Sequence, residues 1–271
     1  VRIATWNVNS LTARLARVEE WIGYAQPDVL CLQETKQADA AFPHAAFTAL
    51  GYETAHHGDG RWNGVALVSR VGLENVSVGL NSDDDDQGTR LIAADCGGVR
   101  VHSVYVPNGR SLDDEHYPAK LAWLARLREL LADTCSPEDP VAVCGDFNIA
   151  PEDRDVWDMT QFEGMTHVSQ PERDALADLE AWGLVDVFRR LYDEGDLFSW
   201  WDYRGGSFHR HRGMRIDLVL VTEVLAARTG YALIDRNARK GDKPSDHTPV
   251  FIDVSEGCQP IEAPARARQF E

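Results

Sequence analysis

Three short strings carry ionisable side chains beside apolar runs: Gln33-Glu34-Thr35, Gly145-Asp146-Phe147-Asn148 and Ser245-Asp246-His247-Thr248-Pro249-Val250. A carboxylate at the end of a buried strand suits a hard cation such as Mg²⁺, which prefers oxygen donors and keeps several waters. Asp146 and Asn148 stand two apart behind Gly145, a residue that permits tight backbone approach. An aspartate there can hold or deprotonate water, and an asparagine amide can donate to a phosphoryl oxygen without adding negative charge. Asp217 interrupts the strand-like run Arg215–Val221. An unpaired carboxylate in such a place is costly, and His247 would explain it as a partner whose tautomer the aspartate fixes. Together the strings have the composition of a phosphate-hydrolysing centre divided along the chain. Each also has a plainer reading in isolation: a strand-end surface acid for Glu34, an Asx turn for Asp146 and Asn148, a capped turn for Asp246 and His247.

Two alternate pairs add to the set. Asn7 and Asn9 point to one side of the extended segment Thr5–Asn9, and Glu34 and Lys36 face one cleft in the same way.

The elements that must hold these groups are strand-rich. Apolar or β-branched runs at Val1–Val8, Val29–Leu32, Gly64–Ser69, Arg90–Ala94, Val99–Val106, Val141–Cys144, Met214–Val221 and Val250–Val254 have strand length and are separated by turn formers. Helical spacing appears at Arg14–Tyr24, through Leu15, Val18, Trp21 and Ile22, and at Tyr117–Leu131, through Leu121, Leu124, Leu127, Leu130 and Leu131. Pro171–Trp182 is a third helix, with proline near its first turn. This alternation permits either two sheets packed face to face with helices outside or one open sheet covered on both sides.

The chain has 271 residues, 44% of them hydrophobic, enough for one large core. A single domain over residues 1–255 is expected, with a patternless tail at 256–271 and an acidic loop at Asn81–Gly88. No run of eighteen apolar residues and no leader pattern is present, so the expectation is a soluble cytoplasmic protein without a membrane partner. The five cysteines are odd in number and form no CxxC pair, which argues against a disulfide framework or a thiolate zinc site. The net charge of −17 opposes long-range attraction to nucleic acid. Much of the acid, however, sits in Asp83–Asp86, Asp113–Glu115 and Glu152–Asp158, whereas His209–Arg215 carries three arginines, two histidines and no acid. Any contact with DNA must therefore use a polarised surface. The stretch Phe198–Asp217 mixes aromatic and basic residues in a way that suits a nucleic-acid groove, one of Trp200 and Trp201 being expected as buried packing.

In order along the chain, TWNVNSLTAR, LCLQETK, WNGVALVSR, YVPNGR, GDFNIAPEDRDV, FSWWDYR, RIDLVL and SDHTPV run from about Ile3 to Val254. In this ordered set the sequence resembles the exodeoxyribonuclease III family of apurinic/apyrimidinic endonucleases, within the endonuclease/exonuclease/phosphatase superfamily. The resemblance implies a four-layer α/β/β/α sandwich of two mixed sheets with outer helices. It implies Glu34 as principal ligand of Mg²⁺, for which Mn²⁺ substitutes, assisted by Asn7 and Asp246. Tyr105 and Asn148 would contact the scissile phosphate, Asp146 would position or activate water, and His247, held by Asp217, would bind or protonate the phosphate. Trp200, Met214 and Ile216 would wall a pocket for a base-less deoxyribose, Met214 departing from the aromatic wall of some relatives. Lys36, Arg110 and Arg212 would meet the DNA backbone, and Thr166–Leu176 would form the loop and helix beside the pocket. The implied activity is cleavage of duplex DNA 5′ to abasic sites, with 3′-5′ exonuclease action and trimming of blocked 3′ ends, and with no obligate protein partner. The alternatives are a phosphoesterase of the same superfamily acting on RNA ends or phosphoinositides, and an inert DNA-binding relative.

Overall fold

The computed structural model describes residues 1–80 and 88–255; most of the acidic loop and the C-terminal tail lie outside them. Twelve strands form two six-stranded sheets among the described residues. The first sheet has the order β11 (Thr229–Ile234), β12 (Val250–Val254), β1 (Arg2–Asn7), β2 (Val29–Gln33), β4 (Val65–Ser69), β3 (Glu53–His57). The second runs β5 (Glu74–Val78), β6 (Leu91–Cys96), β7 (Val99–Tyr105), β8 (Val141–Asp146), β10 (Asp217–Thr222), β9 (Leu184–Asp186). Each sheet has one parallel pair, β1 with β2 and β7 with β8. Parallel neighbours need a long crossover, and the two long helices supply it: α1 (Leu11–Ala25) joins the first pair and α3 (His116–Thr134) the second. The face-to-face arrangement is thus the one adopted.

Period-two alternation explains the layers. Ile3, Val29, Cys31, Val101, Ala142, Cys144, Val219 and Ile252, from both sheets, share one cluster between the sheets. The opposite faces bury Ala4, Trp6, Leu30 and Leu32 against Val18, Trp21 and Ile22 of α1, and Val104, Val143 and Leu218 against Trp123, Leu127 and Leu131 of α3. Along the inner face the side chains grow polar towards one end. A hydrogen-bonded chain runs from Thr5 Oγ1 to Gln33 Oε1 within the first sheet at 3.1 Å and from Gln33 Nε2 across to Ser103 Oγ of the second at 3.1 Å. One step further, Asn7, Tyr105, Asp146 and Asp217 end or begin their strands.

The three expected helices are present with ragged ends, the third being α4 (Gln170–Trp182), started by a Ser169–Glu172 capping box with Pro171 in its first turn. Short β3, β5, β9 and β11 escaped sequence pattern, as did α2 (His44–Ala49) and the single-turn α5 (Val187–Leu191) and α6 (Glu223–Ala226). The run expected as a strand from Met214 becomes β10 only at Asp217; Met214 instead makes isolated bridges to Val156 and Trp200.

Arg215, last of the basic string His209–Arg215, does not belong to a basic surface. It is 1% exposed, because alternation turns it away from Met214 and Ile216, and its Nε and Nη2 reach Asp155 at 2.6 and 3.1 Å and Asp186 at 2.8 Å. Arg189 also binds Asp155. Burial alone would raise the Asp155 carboxyl, but the two arginines override it and hold it below its ordinary value. Its stabilising contribution is therefore present above the ordinary carboxylate range and is lost as pH falls through the folded value. Asp155→Asn is expected to cost about 3–5 kcal/mol at pH 7 in urea unfolding, with the gap to wild type closing in acid. An unchanged midpoint at pH 7 would show that the network contributes nothing.

Candidate active site

Register brings the polar groups together. Asp146, the last residue of β8, pairs with Tyr105 on β7 and with Asp217 on β10, so the three form one row across the second sheet. Asn7 closes β1 opposite them, Glu34 follows β2 directly, and His247 lies three residues before β12. Gly145 is needed for this row, since a Cβ there would stand 1.8 Å from the Val104 carbonyl oxygen. Glu34 and Asn148 both turn with a left-handed φ of 51°, which aims each side chain off its strand axis into the cleft.

At the centre, the Asn7 amide donates to Glu34 Oε1 and to Asp146 Oδ2, both at 2.9 Å, while its oxygen accepts from the Asn9 N–H at 3.0 Å. His247 Nδ1 meets Asp217 Oδ2 at 2.8 Å, and Nε2 lies 3.7 Å from Asp146 Oδ2. Ligand atoms of Glu34, Asp146 and His247 all lie within 4.8 Å of one another. Asp246 sits beside this trio, its oxygens taking hydrogen bonds from Asn9 Nδ2 at 3.0 Å and Trp200 Nε1 at 3.1 Å. The donor set is oxygen-rich and suits a hard divalent cation. Ligation by Asn7 requires its amide turned over, so that Oδ1 rather than Nδ2 faces the carboxylates.

Electrostatics follow from crowding acids in a buried place. Burial opposes charge on His247, but Asp217 and Asp146 outweigh it and push the imidazolium up to about 10. Burial raises Asp146 as well. Tyr105 is driven well above its ordinary range by burial and then by Glu34 and Asp146, so it stays a hydroxyl donor. Asp246 remains ionised below its ordinary value: burial is outweighed by His247, Asn9 and Trp200.

Asn148 is held from four sides. Its N–H donates to Asp146 Oδ1 at 2.9 Å and its Nδ2 to the Val106 carbonyl at 3.0 Å, Oδ1 accepts from Asn108 at 3.1 Å, and its own carbonyl accepts from buried Lys120 at 2.6 Å. Lys120 is in turn paired with buried Glu172 of the α4 capping box. His167 lies 3.3 Å from Asn148 Oδ1. Among the residues expected to line the groove, Met214 and Ile216 are buried with Val156 and Val168, partly buried Trp200 packs against them, and the Trp200 ring is 6.5 Å from that of His247. Trp201 is the fully buried member of its pair. Lys36 bonds Glu34 Oε2 at 2.9 Å. Arg110 and Arg212 are exposed, Arg110 Nη1 lying 3.9 Å from Asp114 and Arg212 4.8 Å from the Trp157 ring, so neither touches the centre.

Sequence reasoning did not assign Lys120, Glu172, Asn108, His167 or Arg90, whose guanidinium stands 4.8 Å over the Tyr105 ring. A lysine inside the apolar stripe of α3 and the S-x-x-E signature of α4 were signals, but their pairing is long-range.

Residues 4–247 match the endonuclease/exonuclease/phosphatase family. The chain belongs to that family. An exodeoxyribonuclease III of Haemophilus influenzae is 36% identical over 268 residues, covering 93% of this chain and 99% of that protein. An AP endonuclease of Archaeoglobus fulgidus is 37% identical, with a TM-score of 0.91 over 94% of this chain and all of that one. A 3′ phosphatase from Neisseria, solved with a product DNA hairpin, is 38% identical, with a TM-score of 0.91 over 94% and 99% of the two chains. Membership in the endonuclease/exonuclease/phosphatase family thus rests on almost the whole chain.

The Asp217–His247 pair stabilises the fold below the ordinary histidine range and loses that contribution as pH rises through about 10. In the metal-free protein, NMR titration should find His247 still protonated at pH 8, and Asp217→Asn should lower its pKa by about 1–3 pH units. Identical titration in the two proteins would remove Asp217 as the source of the shift.

Proposed function

We propose that this chain is a divalent-metal-dependent DNA repair phosphodiesterase that cuts duplex DNA 5′ to abasic sites and trims 3′ ends. The observation that carries the reading is the convergence of Glu34, Asp146 and His247 within 4.8 Å at the polar end of the inter-sheet layer. The names of its relatives point the same way: an exodeoxyribonuclease, an AP endonuclease and a 3′ phosphatase, the last with DNA bound.

Glu34, with Asp146 beside it and Asn7 and Asp246 as further oxygen donors, would hold Mg²⁺ or Mn²⁺, which supplies positive charge opposite the phosphate. The remaining work belongs to side chains. His247, anchored at Nδ1 by Asp217, presents Nε2 to a phosphoryl oxygen, and the Tyr105 hydroxyl donates to another. Asp146 orients the attacking water and takes its proton; burial, by raising this carboxyl, makes it a better base. Asn148 has its backbone fixed by Lys120 and Asp146, so a rotation of its amide alone turns donors towards phosphate. The apolar wall of Met214, Ile216 and Trp200 next to His247 provides a place for a sugar without a base. Lys36, Arg110 and Arg212 offer cations to the flanking backbone, which an acidic protein needs in one locality.

Defined oligonucleotides test this reading: one with an internal abasic analogue, others with a 3′-phosphate or a recessed end, alongside an RNA end and a phosphoinositide headgroup. Mg²⁺-dependent cleavage of DNA, abolished by EDTA while DNA binding persists, is expected. Faster turnover of the RNA or the headgroup would redirect the assignment. Asp146→Asn should preserve DNA binding and slow cleavage by about a hundredfold or more. Near-wild-type turnover in that variant would remove Asp146 from the chemistry.

A further inference from the structure

Residues Asp202–His209 and Arg239–Pro244 close round a cavity of about 380 Å³ whose lining includes Tyr203, Phe208, Arg239 and Lys240. Three arginines are buried among the described residues. Arg189 and Arg215 are neutralised between them by Asp155 and Asp186. Arg239, 7% exposed, is not: among the described residues it makes no hydrogen bond or ion pair, and its Nε is buried without an acceptor. Its guanidinium carbon stands 5.2 Å from the Tyr203 ring and 5.1 Å from the Phe208 ring. Ring faces offset only part of what a guanidinium loses on leaving water. Burial accordingly holds the Arg239 pKa below its ordinary value.

The nearby acids are already engaged. Asp202, in the cavity wall, is gripped by Arg204 through Nε at 3.0 Å and Nη2 at 2.6 Å. Asp246 is taken by Asn9 and Trp200. A buried cation lining a cavity with no anion of its own calls for one from outside, and the planar fork of arginine matches the oxygens of a phosphate.

We infer that this cavity is an anion site, separate from the hydrolytic centre, that takes a phosphate group with Arg239 as its principal cation and Lys240 at its mouth. A hydrogen-bonded chain links it to that centre: Tyr203 Oη accepts from Arg14 Nη2 at 3.1 Å, Arg14 Nη1 donates to the Asn9 carbonyl, and Asn9 Nδ2 holds Asp246. The phosphate has two sources, free phosphate or the backbone of bound DNA; only the second rests on the proposed DNA substrate.

Arg239→Met distinguishes them in two arms. In the first, melting temperature is followed with inorganic phosphate at fixed ionic strength, chloride serving as control. For a free-phosphate site, wild type is stabilised by phosphate and Arg239→Met much less so, while without phosphate the variant melts no lower than wild type, because an unpaired buried charge has gone. In the second arm, duplex binding is measured in EDTA against salt. For a backbone-phosphate site, the variant binds more weakly and its log–log salt slope falls by about one. Ser207→Glu, which carries a carboxylate into the same cavity, gives an independent check should Arg239→Met not fold: it should raise the melting temperature and abolish whichever response wild type shows. Equal phosphate responses together with equal salt slopes in wild type and either variant would overturn the site. If wild type does not bind the duplex in the second arm yet shows the Arg239-dependent phosphate response in the first, the anion site stands and the proposed DNA substrate fails.

Discussion

Mutual repulsion among buried acids is the constraint on which this molecule turns. Glu34, Asp146, Asp217 and Asp246 are gathered at one end of the layer between two sheets, Asp146 and Asp217 buried there and Glu34 and Asp246 half-buried at its rim. Left to themselves such groups would take up protons or push the strand ends apart. Lys36 on Glu34, and Asn9 and Trp200 on Asp246, offset part of this at the rim, and two side chains do so at the centre. Asn7 spends both amide hydrogens on Glu34 and Asp146, and His247 stands between Asp217 and Asp146 as a cation. The arrangement is thereby poised to accept further positive charge, the property a metal-dependent phosphoesterase requires.

The sandwich supplies the frame. Inner faces pass from an apolar cluster, through the Thr5–Gln33–Ser103 hydrogen bonds, to the ionised rim. Polarity thus rises over two or three strand residues, steeply enough to keep water from the core while opening the rim to a substrate. Behind the rim, the Lys120–Glu172 pair ties α3 and α4 to the backbone of Asn148. Removing either partner would leave a buried charge, so this brace stiffens the loop that carries Asp146 and Asn148.

Much of this was legible in the sequence, for identifiable reasons. Long helices and central strands announce themselves by period, and Asp217 and His247 could be paired because a carboxylate inside an apolar strand demands a partner. Edge strands such as β5, exposed along its whole length, carry no burial pattern to read. Arg215 was misplaced because a basic string does not reveal which of its members alternation turns inward. Lys120 and Arg239 illustrate a different limit: Lys120 meets Asn148 and Glu172, and Arg239 meets Tyr203 and Phe208, all tens of residues away in the chain, and local spacing does not name these partners. The choice between one open sheet and two packed sheets was likewise beyond periodicity, and came from resemblance of ordered motifs before the structure displayed it.

Every role proposed for this centre depends on where a divalent cation binds. Crystals soaked in Mn²⁺ and measured at its absorption edge would show this directly. An anomalous peak is expected about 2.0–2.5 Å from a carboxylate oxygen of Glu34, with Asp146 in the same coordination sphere or its immediate surroundings. A fully occupied peak elsewhere, with none beside Glu34, would contradict it.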